Sequence, residues 1–170
     1  MKYEEKLAIF FELTKKLNKK FSVIPLLQGS LGLKLLMEDA DFDPDDIDIA
    51  VPQHLYRLSE RWNDLLSFML KEGYVLTDLH EHFFQKGEVG VGFAAIDGIG
   101  GIPSLEVFAD IDVSEIPIME TDGAFYKLMT LEQYYKVYSR SLEDNYRADK
   151  TAHKDQNKID IIKKAINSIE

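Results

Sequence analysis

The chain has 170 residues, 45% hydrophobic and 29% charged, with no cysteine, and its 20 basic against 30 acidic side chains leave a formal charge of −10. These figures suit one globular domain over 1–170, and they exclude a disulfide framework and a cysteine-ligated zinc site. The acidity opposes nucleic-acid backbones as partners, and no run reaches the ~20 apolar residues of a membrane span.

Met1 to Lys6 leads into an amphipathic pattern rather than the apolar core of a signal peptide, so a cytoplasmic location is expected. Residues 3–20 read as a helix, because Leu7, Phe10, Phe11, Thr14 and Leu17 share one 3.6-residue stripe. Val23 to Gln28 is an apolar run ending at Gly29, which suits a buried strand. Ser30 offers an N-cap for a short helix from Leu31 to Met37. Asp46 to Val51 alternates with period two until Pro52 stops it. Leu55, Leu58, Trp62, Leu65, Leu66 and Met69 mark a second long helix, closed by Gly73. Tyr74–Leu79, Phe83–Lys86, Val89–Ile96 and Ser104–Ile111 read as strands, with Gly98 to Pro103 a tight connection. Residues 116–128 add one or two edge strands. Helical spacing returns at Leu131, Tyr134, Tyr135, Tyr138 and Leu142, and again at Ile159, Ile162, Ile166 and Ile169. The layout is α+β, or mixed α/β, with helices covering one side of a sheet and a helical C-terminal part from about 130 to 170.

Bare Asp-x-Asp pairs are common here. Requiring an apolar residue between the acids and after the second leaves Asp46-Ile47-Asp48-Ile49 and Asp110-Ile111-Asp112-Val113. On a strand, both acids of such a pair face one way, roughly 7 Å apart, while the apolar residues anchor the core. Two like charges so placed call for a divalent cation. Upstream, Leu27-Gln28-Gly29-Ser30 runs from strand to turn to helix. Its glycine permits close backbone approach, and the first free N–H groups of the helix form an anion site for phosphates.

These two elements, Leu27-Gln28-Gly29-Ser30 and Asp46-Ile47-Asp48-Ile49 after a helix-length gap, resemble the nucleotidyltransferase superfamily, which includes DNA polymerase beta and the aminoglycoside and lincosamide nucleotidyltransferases. The resemblance is clearest over 23–52 and returns at Lys154-Asp155-x-x-Lys158-Ile159. It implies a nucleotidyltransferase-like mixed sheet flanked by helices. It also implies transfer of a nucleoside monophosphate from a triphosphate, ATP being the expected donor, to a small-molecule or protein hydroxyl. Asp46 and Asp48 would hold magnesium or manganese, joined by a third acid that also acts as base. Glu106 is preferred for that role and Asp110 is the runner-up. Gly29 and Ser30 would cradle the triphosphate, and Lys154 would meet a phosphate or the developing pyrophosphate charge. The alternative within the same resemblance is a nucleotide-binding or regulatory module that has lost turnover.

Other motifs fail on their surroundings. Pro103 and the alternation that follows leave no helix between Gly100-Gly101 and Asp110. Gly90-x-Gly92 lacks the helix a dinucleotide fingerprint needs. Asp39-x-Asp41-x-Asp43 meets Pro44 where a calcium loop requires glycine. His80 and His82 read as sheet-face or surface residues, and the tyrosines 134, 135 and 138 as core or groove lining.

Overall fold

In the computed structural model the described residues are 1–56, 61–98, 104–143 and 145–169, with the backbone alone for 145–153. The connection expected at 98–103 and Leu58 of the expected second helix therefore lie largely or wholly outside the described residues. The chain runs α1 (Tyr3–Phe21), β1 (Leu26–Gln28), α2 (Gly29–Leu36), β2 (Ile47–Val51), α3 (Trp62–Lys71), β3 (Val75–Asp78), β4 (Phe83–Lys86), β5 (Val89–Ala95), α4 (Leu105–Ala109), β6 (Ile118–Thr121), β7 (Ala124–Leu128), α5 (Leu131–Glu143) and α6 (Asn145–Ile169). The strands form one mixed sheet in the order β3-β4-β5-β2-β1-β7-β6, so the fold is α+β with C-terminal helices.

One face of the sheet carries the core. Ile47 pairs with Val91, Ile49 with Phe93 and Leu27 with Leu128, and residues directly opposite share a face. Helix α1 packs here, with Phe10 edge-on to Tyr126 at 5.5 Å between ring centroids. Phe21 of α1 meets Phe68 of α3 at 5.8 Å, and Trp62 meets Phe84 at 6.2 Å. Because β2 and β5 run parallel, the intervening β3–β4 hairpin sits at the sheet edge, while β7 enters beside β1 in parallel.

Several expected boundaries move, each for a local reason. Strand β1 begins only at Leu26, because Pro25 has no N–H to give a ladder. Helix α2 starts at Gly29 with Gln28 as its N-cap, and the Ser30 side chain caps nothing; it accepts a hydrogen bond from the Asp45 N–H at 3.0 Å instead. The expected long helix over 55–69 splits into a 3-10 turn at Gln53–Leu55 and α3. His80 and His82 stand in a turn rather than on a strand face. His82 has φ 51° and is 5% exposed, with Nδ1 2.9 Å from the Tyr56 hydroxyl. Of the strands expected at 116–128, only β6 lies at the edge.

The largest correction concerns Ser104–Ile111, which is helical rather than extended. The Ser104 hydroxyl accepts from the Val107 N–H and caps α4, and Asp110 closes it in the left-handed region at φ 52°. Leu105 and Ala109, each 6% exposed, are four residues apart and satisfy the helical period as well as the alternating one. A helix therefore does stand between Gly100-Gly101 and Asp110, although Asp110-Ile111-Asp112 that follows is not a strand.

Candidate functional site

The opposite face of the sheet carries the acids. Phe83 pairs with Gly92, Gly92 with Asp48, and Asp48 with Gln28, so these four make one row across β4, β5, β2 and β1. Asp46 precedes β2 on the same side as Asp48.

Gly29 joins the phosphate turn to this row. Its φ is +67°, which favours glycine, and a Cβ there would stand 2.2 Å from Oδ2 of Asp48. The first N–H groups of α2 thus open directly beside the carboxylate. Ser30 is 7% exposed, and by accepting from the Asp45 N–H it fixes the loop that leads into Asp46. Its own hydroxyl proton remains available to donate.

Asp46 lies over β5, where a Cβ on Gly90 would come within 2.5 Å of Asp46 Oδ1. Burial, and then the neighbouring Asp45 carboxylate, raise the Asp46 pKa from its ordinary value, against the pull of Lys6 and Lys154. Lys6 also donates to the Pro44 carbonyl, drawing the same loop onto α1.

Helices α5 and α6 complete the surroundings. The buried Tyr134 hydroxyl donates to the Leu27 carbonyl at 3.1 Å. Its ionisation is pushed well up, by burial first and then by Tyr138 and Asp48. From α6, Lys154 donates to Asp45 Oδ2 at 3.0 Å, an exposed pair of little energetic weight. Lys158 is 9% exposed. Burial lowers its pKa, while Asp155, Asp45 and Asp48 pull the other way, and its ammonium lies 5.7 Å from the Tyr138 ring centroid. Asp155, also buried, accepts from the Ser141 hydroxyl at 2.7 Å.

The fold thus brings together Gly29, Ser30, Asp46, Asp48 and Lys154 of the residues singled out from sequence, and adds Lys158. The signal for Lys158 is present in Lys154-Asp155-x-x-Lys158, since four residues set both lysines on one helix face. Glu106 and Asp110 are not brought to the pair. The Ile96 N–H bonds the Val51 carbonyl and the Glu106 N–H bonds the Ile96 carbonyl, so α4 starts at the far end of β2. Val51 is three residues beyond Asp48, roughly 10 Å along the strand. The Glu106 carboxylate faces the Gly98 N–H at 3.5 Å, and the Asp110 carbonyl receives Lys136.

Among the described residues no group of three or more His, Asp or Glu side chains is set to hold a metal. Two carboxylates still fit magnesium, which keeps several waters and typically takes one or two protein acids plus substrate phosphates. The burial, and then the Asp45 charge, that raise Asp46 are what such a cation would offset.

The fold that carries this site is nucleotidyltransferase-like. The antibiotic-resistance factor ANT(2'')-Ia in solution superposes with a TM-score of 0.53 at 13% identity, over 99% of this chain and 94% of that one. An antigenic nucleotidyltransferase-like protein from Paracoccidioides brasiliensis gives 0.57 at 14% identity, over 93% of this chain and 75% of that one. The crystal structure of ANT(2'')-Ia in complex with adenylyl-2''-tobramycin gives 0.51 at 13% identity, over 96% and 99%. No family model matches the sequence. The uncharacterized protein YnaI of Bacillus subtilis (strain 168) is 42% identical over 159 residues, 94% of this chain and 96% of that protein. The chain belongs to the family of YnaI.

Proposed function

We propose that the chain is a nucleotidyltransferase that moves a nucleoside monophosphate from a nucleoside triphosphate, ATP in the first instance, to a hydroxyl on a small molecule or a protein. The observation that carries this is the abutment of the phosphate turn on the acids: Asp48 Oδ2 occupies the space a side chain at Gly29 would need. Gly29, Ser30 and the open N–H groups of α2 would hold the triphosphate. Lys158, and Lys154 released from Asp45, would neutralise its oxygens. Asp46 and Asp48 would hold a magnesium or manganese ion, which supplies charge stabilisation to the phosphoryl oxygens.

The acceptor oxygen bonds the α-phosphorus as the bond to the β-phosphate's bridging oxygen breaks. Pyrophosphate leaves, and the hydroxyl proton passes to solvent water. The ANT(2'')-Ia complex holds an adenylylated aminoglycoside, and the net charge of −10 suits a small, cationic acceptor of that sort.

One observation favours the second reading, a nucleotide-binding module without turnover: the residue beside Asp48 on β5 is Gly92, where an acid would complete the set. Pyrophosphate release separates the two. With magnesium, ATP and a panel of hydroxyl acceptors, the transferase reading expects release from the wild type and a loss of at least ~100-fold in Asp48→Asn. Nucleotide binding with no release from any acceptor supports the module, and equal release by Asp48→Asn defeats the transferase assignment.

A further inference from the structure

The strip of β5 beside the acids has no side chains, and an aromatic ring lies across it. A Cβ on Gly90 would come within 2.3 Å of Phe83 Cζ, and one on Gly92 within 3.5 Å of Phe83 Cδ2 and 3.2 Å of Asp48 Oδ1. Phe84 of the same strand points into the core, whereas Phe83 is half-buried on the face of the acids. Its ring therefore fills the space two side chains of β5 would take, on the same face of the sheet as the carboxylates.

This arrangement has a direction. Across the sheet the order is Phe83, Gly92, Asp48, Gln28, with about 4.8 Å between neighbouring strands. The phosphate turn stands at the Gln28 end. In phosphoryl transfer the attacking and leaving oxygens lie roughly in line on opposite sides of phosphorus. With the leaving pyrophosphate toward Gln28 and Gly29, the attacking oxygen comes from the side of Gly92.

Resting on the transferase reading, we propose that Phe83, seated on Gly90 and Gly92, is one wall of the acceptor subsite, its half-exposed ring receiving a flat apolar face on a ring-bearing hydroxyl compound. The bare glycines let the Phe83 ring lie close to the sheet, and its outer face selects by shape and stacking. Phe83 is thereby a specificity-determining residue, and the nucleotide does not touch it.

The test uses phenyl β-D-glucopyranoside and methyl β-D-glucopyranoside as probes, bound to the whole chain with magnesium and a non-hydrolysable ATP analogue and read by ligand-observed NMR. Wild type is expected to favour the phenyl probe by about fivefold or more, the range of single-ring stacking. Phe83→Ala should abolish that preference, Phe83→Trp should keep it, and neither should alter the thermal shift caused by the ATP analogue. Folding of each variant is checked by its melting transition, and Phe83→Trp guards against simple loss of packing. No preference in wild type, or an equal preference in Phe83→Ala, overturns the subsite. An analogue shift that falls together with the preference also overturns it, by assigning Phe83 to the donor. A Phe83-dependent preference in a wild type that shows no shift with the analogue supports the aromatic subsite and removes the nucleotide reading alone.

Discussion

Gly29 does two jobs that no other residue type does together: it turns the chain at φ +67° and leaves room for Asp48 Oδ2. Alanine there would be strained by about 1–3 kcal/mol, and its methyl would force the carboxylate away from the helix N-terminus. Gly29→Ala should lower the urea midpoint accordingly and abolish magnesium-dependent nucleotide binding, read by calorimetry. Retained binding would separate the turn from the acids. At this scale the sequence was legible where the pattern is short. Gly29-Ser30 and Asp46-Ile47-Asp48 name themselves, because strand alternation and a turn glycine are encoded within a few residues. Lys158 is harder to see, since its burial depends on how α6 packs on α5, with Tyr138 beneath its ammonium. The alternation around Glu106 reads as a strand, whereas the segment is helical and sets the Glu106 carboxylate beside the Gly98 N–H.

Elements show the same division. Helices α1 and α5 follow from apolar spacing, since each has enough residues to separate a period of 3.6 from a period of 2, while β3, β4 and β5 are marked out by the turns between them. Helix α4 has five residues, too few for that, and its cap decides the matter. Ser104→Ala removes the oxygen that receives the Val107 N–H, and should cost about 1 kcal/mol of stability, measured by denaturant unfolding. Because α4 stands at the far end of β2, nucleotide affinity should not change. A matching loss of affinity would mean that α4 reaches the acids after all. Strand β7 falls in a segment whose sequence reads as one or two edge strands, yet it lies inside the sheet because it pairs with β1 from about a hundred residues away. No local pattern encodes that partner.

For the whole molecule, the α+β class was legible from the succession of periods, while the strand order was not. The tyrosines give global stability an alkaline pH signature. Burial, and then Glu38 and Glu4, raise the Tyr3 hydroxyl to about 12, and Tyr74 and Tyr134 are raised as well. Unfolded tyrosine ionises near pH 10. Below that value both states hold the proton and stability is intact; above it the unfolded state loses protons first, and stability falls as pH rises toward 12. Urea midpoints should therefore drop between pH 10 and 12. Tyr3→Phe should drop less, and a drop equal to that of wild type would remove Tyr3 from the account.

The central claim is that Gly29, Ser30, Asp46 and Asp48 form one magnesium–nucleotide site. It is tested most directly by the melting temperature with each nucleoside triphosphate, with and without magnesium, in wild type and in Asp46→Asn/Asp48→Asn. A ligand at a hundred times its dissociation constant adds about 2.7 kcal/mol to stability, which is roughly 5–10 °C for a chain of this size. The account predicts a rise of that order that requires magnesium and disappears in the double variant. No rise with any triphosphate, or the same rise without the two acids, would contradict it.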